Sequence, residues 1–324
     1  MRSRMNSKKK KSGFRKPDKL AVKGIASRFA GALFRYALLI VISFIILFPF
    51  ISKISASFMS VEDMYDRTVS FIPRKPTLDN YAFVWEAIKY PATALRTLGL
   101  SLLCSLPQTL ICACTGYALA KLKGKLGAVG MAMVMVTILI PPQIILIPMY
   151  LKFRFFDFFG ITELLTGESV NLINAGGGIW PFLILSITGM AFKNGIYIFL
   201  LRQFYRGVPE ELEEAAYIDG CSIFRTFFKI VLPISVPMMV TVFVLSFAWQ
   251  WTDNFYTNLF LKSDRVLSTA IFTMSSIESQ GTGDFYRTAI IQTAVLMSIL
   301  PLVLVYIFAQ KKVIAGIERS GITG

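Results

Sequence analysis

The chain has 324 residues, of which 55% are hydrophobic and only 16% charged, with a formal net charge of +15 and no histidine. Its mean hydropathy is +0.60, and a soluble domain carries closer to a quarter charged residues, so an ordinary soluble globular protein is excluded. Cys104, Cys112 and Cys114 fall in one apolar run and Cys221 in a polar segment, which gives neither a disulfide framework nor a zinc or haem ligand set.

Six apolar stretches follow one another along the chain: Tyr36–Ile51, Leu98–Ala120, Leu126–Tyr150, Trp180–Leu201, Ile230–Trp251 and Thr288–Gln310. Crossing the hydrocarbon core takes roughly 20 apolar residues, and five of the six reach that length. The first does so if Phe29–Phe34 extends it past Arg35, whose long side chain can snorkel to the headgroups. Prolines within these stretches, from Pro49 to Pro301, are compatible with spans because neighbouring helices can satisfy the freed backbone groups. The fold class expected is therefore an all-α polytopic membrane protein with about six transmembrane helices.

Basic residues set the orientation. Segments 1–35, 121–125, 202–229 and 311–324 hold 22 Lys and Arg; the alternate segments 52–97, 151–179 and 252–287 hold 11. Both termini are thus expected in the cytoplasm. The division is a basic tail at 1–35, a six-span domain at 36–310 with cytoplasmic helices at 208–229, and a cytoplasmic tail at 311–324. In a soluble protein a charge of +15 would point to nucleic acid. Here the membrane accounts for it, so no nucleic-acid partner is expected, and Lys8–Lys11 is a solvated run able to touch anionic lipid. The tail lacks the layout of a cleavable signal peptide.

The segments outside the bilayer differ in content. Phe71–Tyr81 is a proline-spaced, extended strip leading into a short helix, Tyr81–Ile88. Lys121, in the short segment 121–125, carries no docking signal. Segment 252–287 includes a polar stretch, Ser275–Gly283, with Gly281 and Gly283 as flexible points. Segment 202–229 is the most patterned. Pro209 suits a first helical position, Glu210 and Glu211 face the positive end of the helix dipole, and Gly220 suits a left-handed residue past the helix end. Ser222 then caps a second helix carrying Phe224, Phe227, Phe228 and Val231 on one face. Two readings fit this helix–turn–helix: an ordinary capped surface pair, or a docking element in which Ala215 and Ala216 leave a low-relief patch with Glu214 beside it as a charged anchor.

At these residues the chain resembles the permease subunits of ABC importers. Their signature is Glu-Ala-Ala, three residues, Gly, nine residues, then Ile-x-Leu-Pro; here it is Glu214-Ala215-Ala216, Gly220, Ile230, Leu232 and Pro233, with every spacing kept. Over residues 36–324 it is similar to the second permease of the maltose-type, carbohydrate-importing branch. Pro76-Thr-Leu-Asp-Asn-Tyr81, Ile140-Pro-Pro-Gln143 with Pro148, Phe199-Leu-Leu-Arg-Gln-Phe204, Trp251-Thr-Asp253 and the tail Gln310–Gly324 carry that similarity. Arg96-Thr97 and Trp251-Thr252 depart from it, where the branch often has Asn-Ser and Trp-Asn.

The resemblance implies a bacterial cell-membrane subunit that moves a carbohydrate inward beside a homologous sister permease. Two separate ATPase subunits would grip the Glu214–Gly220 helix, and an extracytoplasmic solute-binding protein would receive the 275–283 loop. The chain has no Gly-rich phosphate loop of its own, so no catalytic residue, cofactor or metal is expected in it. A secondary transporter or channel would need ionisable groups within the spans. Only Lys193 qualifies, between Phe192 and Asn194 with Gly195 next, where the helix can loosen; it is the candidate for the translocation path, the other reading being a lysine that snorkels or lies near an external boundary. A membrane-embedded enzyme would need a His, paired Asp or Ser/Lys arrangement that is not visible.

Overall fold

The computed structural model describes residues 19–157, 164, 169–261, 266–274 and 284–321. Among them the regular elements are helices, with one antiparallel bridge between Phe156 and Val170. The chain divides after Ser55 into two units. The first is most of α1 (Lys19–Ser57), whose apolar part from Gly31 to Ser57 is longer than the run of Tyr36–Ile51 suggests and whose most apolar window contains no buried residue. Arg35 lies inside it, with Nε donating to the Gly31 carbonyl.

The second unit holds α2 (Val61–Tyr65), α3 (Asp79–Ala87), α4 (Tyr90–Lys121), α5 (Gly124–Leu139), α6 (Pro142–Arg154), α7 (Ile179–Thr188) and α8 (Asn194–Arg206). After these come α9 (Glu211–Ile218), α10 (Ile223–Ile234), α11 (Val236–Thr252), α12 (Phe255–Phe260), α13 (Leu267–Met274) and α14 (Asp284–Gly321). The proline-spaced strip before α3 is pinned by charge: Asp66 pairs with Arg74 at 3.0 Å and Lys75 with Glu62 at 2.9 Å. The Thr68 hydroxyl and then its amide donate to Asp66, which holds that carboxyl below the usual range.

Three of the six expected spans are continuous: α1, α4 and α14 are long and apolar enough to cross a membrane. The other three are broken, and each break has a local cause. Leu126–Tyr150 was expected as one helix, but α5 and α6 meet at 98°. Pro141 and Pro142 remove two donors and force Ile140 into extended backbone, ψ 119°. Ile230–Trp251 divides at Ser235, where α10 and α11 meet at 75°, and Pro237 opens the new helix. Trp180–Leu201 divides between α7 and α8, where Gly189 and Lys193 both take positive φ, 73° and 66°. Counting the two bent pairs α5–α6 and α10–α11 as one span each raises the total to five, a count that leaves out α7 and α8.

α4 is the axis on which α7, α8 and α11 pack. Its buried face runs Thr93, Thr97, Ser101, Ser105, Gln108, Cys112 and Gly116, small or polar residues at helical spacing. Between helices in lipid such residues let backbones approach closely, because apolar contact alone gives no preference for protein over lipid. Two threonine hydroxyls of α4 are satisfied locally, Thr97 donating to the Thr93 carbonyl and Thr109 to the Ser105 carbonyl, each at 2.7 Å, while the Ser101 and Ser105 hydroxyls are buried without a partner among the described residues. At Gly116 a Cβ would stand 3.0 Å from Leu201 Cβ and 3.1 Å from the Arg202 amide, so α4 and α8 touch backbone to backbone there. Gly116→Leu should therefore destabilise the bundle by about 1–3 kcal/mol and lower the thermal midpoint of the detergent-solubilised protein by several degrees. Gly99→Leu on the same helix, where nothing lies within 4 Å, should change it little; equal shifts would show that the seam is slack.

Candidate functional site

The patterned segment folds as helix, left-handed turn and helix. Gly220 has φ 79° and no atom within 4 Å of where a Cβ would stand, so its requirement is conformational, not steric. Ser222 Oγ accepts from the Arg225 amide at 3.4 Å and caps α10, which contains one π turn over Phe227–Val231. Pro209 sits ahead of the helix instead of at its first position: Glu210 is the N-cap and α9 starts at Glu211.

Glu214, Ala215, Asp219 and Gly220 are exposed together on α9 and its turn. Ala216 is not with them. It is 4% exposed and packs inward, so the low-relief patch reduces to Ala215. Ile230, half-buried Leu232 and exposed Pro233 lie on α10, apart from that patch and next to the Ser235 bend. Ser275, Ser276, Gln280, Gly281 and Gly283 lie outside the described residues.

Glu213 is the residue that sequence reasoning missed. It is 4% exposed; its carboxylate pairs with Lys121 Nζ at 2.8 Å and accepts from Tyr117 Oη at 3.0 Å. Four acids stand at 210–214, and only their inward or outward facing separates this one; its partners are some ninety residues away in sequence, so no local signal identifies it. Lys121 is likewise more than a loop lysine. A groove of about 650 Å³ lies beside the pair, lined by Tyr117, Lys121, Tyr217, Phe224, Phe227 and Phe228. Tyr117 lies tilted against Phe227 at 4.7 Å and meets Tyr205 edge-on at 5.6 Å; Tyr205 Oη is 3.2 Å from Ser235 Oγ. One connected set of side chains thus runs from α9 through α4 and α8 to the bend before α11.

A second polar group lies deeper, at the α7–α8 break. Gln108 Nε2 donates to the Phe192 carbonyl at 2.9 Å and to Asn194 Oδ1, while Ser246 Oγ donates to Gln108 Oε1. Lys193 is the left-handed residue preceding α8, and its ammonium lies 4.5 Å from the centre of the Trp249 ring, a favourable cation–π arrangement. Among the described residues no group of three or more His, Cys, Asp or Glu is placed to hold a metal.

Residues 112–317, nearly two thirds of the chain, match the family model described as the inner membrane component of binding-protein-dependent transport systems. The chain belongs to that family. It is similar to the sulfoquinovosyl glycerol transport permease SmoH of Agrobacterium fabrum, 25% identical over 93% of this chain and 97% of SmoH. It is also similar to a probable permease for starch degradation products, AmyC of Thermoanaerobacterium thermosulfurigenes, 27% identical over 87% of this chain and 94% of AmyC. Its fold matches a subunit of a bacterial ABC transporter that imports the acidic polysaccharide alginate, with a TM-score of 0.68, 18% identity, and 88% and 97% of the two chains covered.

The matched region contains Lys121, Glu213, Lys193 and the whole α9–α10 pair, while Gln108 lies just before it. In this transport component the Lys121–Glu213 pair is the fastening of α9 to the membrane helices. Either partner alone leaves a charge in a largely buried place, so Lys121→Met and Glu213→Gln should each loosen α9 while the double variant loosens it less than their sum. Hydrogen exchange of the α9 amides, read as a double-mutant cycle, should give a coupling of about 1–3 kcal/mol; a coupling near zero would make the pair incidental.

Proposed function

We propose that the chain is one of two membrane-spanning subunits of an ATP-driven carbohydrate importer in a bacterial cell membrane. Its α9–Gly220–α10 pair serves as the element that a separate ATPase grips. Family membership supports the transport role, and the sugar-named relatives support the carbohydrate. The observation that carries the coupling role is the division of labour on α9. Glu213 and Ala216 fasten the helix inward, while Glu214, Ala215 and Asp219 stay exposed in register with the Glu-Ala-Ala signature. A helix held this firmly on one side and bare on the other is suited to pass on a push.

In this reading the chain crosses the membrane six times with both termini in the cytoplasm. α5–α6, α7–α8 and α10–α11 each count as a bent or broken span, and 1–35 and 311–324 are tails. An extracytoplasmic binding protein delivers the sugar to the opposite side, where the 275–283 loop meets it. When two ATPase subunits close on ATP, the docked α9 moves with them. The pore side then exchanges one opening for the other by rigid-body motion between two states that the nucleotide binds unequally.

Topology and coupling are tested separately. In a cysteine-free background, a cysteine at Lys75 should react with an impermeant thiol reagent in intact cells and one at Lys123 should not; the reverse pattern overturns the orientation. Gly220→Val strains a left-handed position by on the order of 1 kcal/mol or more, Glu214→Lys reverses an exposed charge, and Ala215→Trp holds surfaces apart. All three should insert and pair with the sister subunit yet lose the ATPase on purification, or keep it with hydrolysis uncoupled from uptake. Lys125→Ala, on the exposed start of α5, is the control and should transport normally. Wild-type uptake and ATPase retention in Gly220→Val and Glu214→Lys would leave α9–α10 as a surface pair with no coupling role.

A further inference from the structure

Around the α7–α8 break, several buried side-chain donors have no acceptor among the described residues. The Phe192 carbonyl accepts and cannot donate, so it must face the nitrogen end of the Gln108 amide. Gln108 Nε2 then also faces Asn194 Oδ1, which turns Asn194 Nδ2 the other way. That nitrogen has no partner, although Asn194 is only 5% exposed. Gln250 Nε2 and Tyr256 Oη, nearby on α11 and α12, are buried without partners as well.

Lys193 adds a full positive charge to this group. Its ammonium lies over Trp249, and it has no ion pair among the described residues. Asp253 does not serve as its counter-ion. Both carboxylate oxygens of Asp253 are engaged by the amides of Phe255, Tyr256 and Thr257 and by the Thr257 hydroxyl, as the cap of α12. The thirteen-residue helix α8 also begins at Asn194, so the positive end of its dipole is directed here. A cavity of about 380 Å³ opens at the break, lined by Gly189, Lys193 and Asn194 on one side and Thr137, Ile138 and Pro142 of the bent α5–α6 pair on the other.

A lone cation and unmatched amide donors within a membrane are costly unless something supplies acceptors. The hydroxyls of a neutral sugar donate as readily as they accept, and they leave the ammonium without a counter-charge. A carboxylate or sulfonate accepts only. Trp249, whose ring lies beneath the Lys193 ammonium, is 40% exposed, and a sugar ring carrying that group would bring its C–H face near this indole. We propose that the α7–α8 break is a substrate-binding site on the transport path, and that the saccharide held there carries an anionic group paired with Lys193 and Asn194. This rests on the import function proposed above.

The test uses cells expressing the complete transporter and supplied with a mixed hydrolysate of neutral and acidic polysaccharides. Mass spectrometry follows which oligosaccharides leave the medium. Transporter-dependent depletion should concentrate on species with a carboxylate or sulfonate. Lys193→Gln should slow it roughly tenfold or more, the equivalent of one charge-assisted contact, and Lys193→Arg should retain most of the rate. Lys193→Gly relieves the positive φ while removing the charge, so it should fold and assemble at least as well as the wild type and still transport as poorly as Lys193→Gln.

The depleted saccharide is then offered to proteoliposomes of phosphatidylcholine alone. Persistence of the Lys193→Gln defect there assigns the anion to the sugar; its disappearance assigns it to an anionic lipid headgroup and overturns the proposal. Depletion of neutral saccharides alone, equally fast in wild type and Lys193→Gln, overturns the proposal and leaves the import function standing. Depletion of no saccharide at all overturns both.

Discussion

The interior of this protein depends on how Gln108 meets the broken backbone between α7 and α8. A helix broken within a membrane exposes carbonyl and amide groups that lipid cannot satisfy. Gln108 reaches from α4 to take up the Phe192 carbonyl and the Asn194 side chain, and its other end receives Ser246 from α11. One amide therefore joins three helices at the point where the fold would otherwise be weakest. The small residues above and below it on α4 follow from the same need, since only a close approach of α4 to α8, as at Gly116, brings Gln108 within reach.

A similar economy governs the other end of the molecule. α9 has eight residues, too few to be stable as an isolated helix in water, so its order comes from what it leans on. Glu213 supplies an ion pair and a hydrogen bond to α4, and Ala216 lets the helix lie close. The exposed residues Glu214 and Ala215 are thereby presented on a rigid support. The aromatic cluster of Tyr117, Tyr205 and Phe227 fills the space beneath, and Tyr205 continues the contact to Ser235 at the α10–α11 bend.

Much of this was legible in the sequence because it is written in local chemistry. A long apolar run announces α4, a glycine past an acidic helix announces the left-handed turn at residue 220, and Ser222 announces the cap of α10. The breaks were less legible. Pro141-Pro142 bends a span that Pro107 and Pro301 do not, because two adjacent prolines hold Ile140 and Pro141 in extended backbone before α6 starts at Pro142, while a single one inside a helix is bridged by its neighbours. The break before α8 turns on Lys193 adopting positive φ, which its residue type gives no reason to expect. Glu213 and Gln108 were invisible for a different reason. Each acts through partners far off in sequence, and a single acidic or amide side chain carries no mark of whom it will meet. The polar lining at the break was hidden in the same way, since Asn194, Gln250 and Tyr256 read as scattered residues until three helix ends bring them together.

The two ends are joined by the pair α4 and α8. From Gln108 to Lys121, and likewise from Asn194 to Arg206, about a dozen residues of unbroken helix intervene, roughly 20 Å at 1.5 Å per residue. Over that length the helices touch backbone to backbone at Gly116 and share the buried cluster of Cys112, Tyr117, Ile198, Leu201 and Tyr205. Well-packed helices slide or tilt as bodies more readily than they deform, because interiors at this density have no slack. A displacement of α9 fastened to Lys121 would therefore reach the far end of α4 with little loss, where Gln108 holds the Phe192 carbonyl. The break is the compliant point at that end, with Gly189 and Lys193 free of helical constraint on either side. Motion delivered there changes the shape of the cavity around Lys193 and Asn194 before it disturbs the packed seam. In the proposed import function, the placement of this rigid pair between the fastened α9 and the polar group at the α7–α8 break would let an event at one surface be felt at a site deep in the bundle.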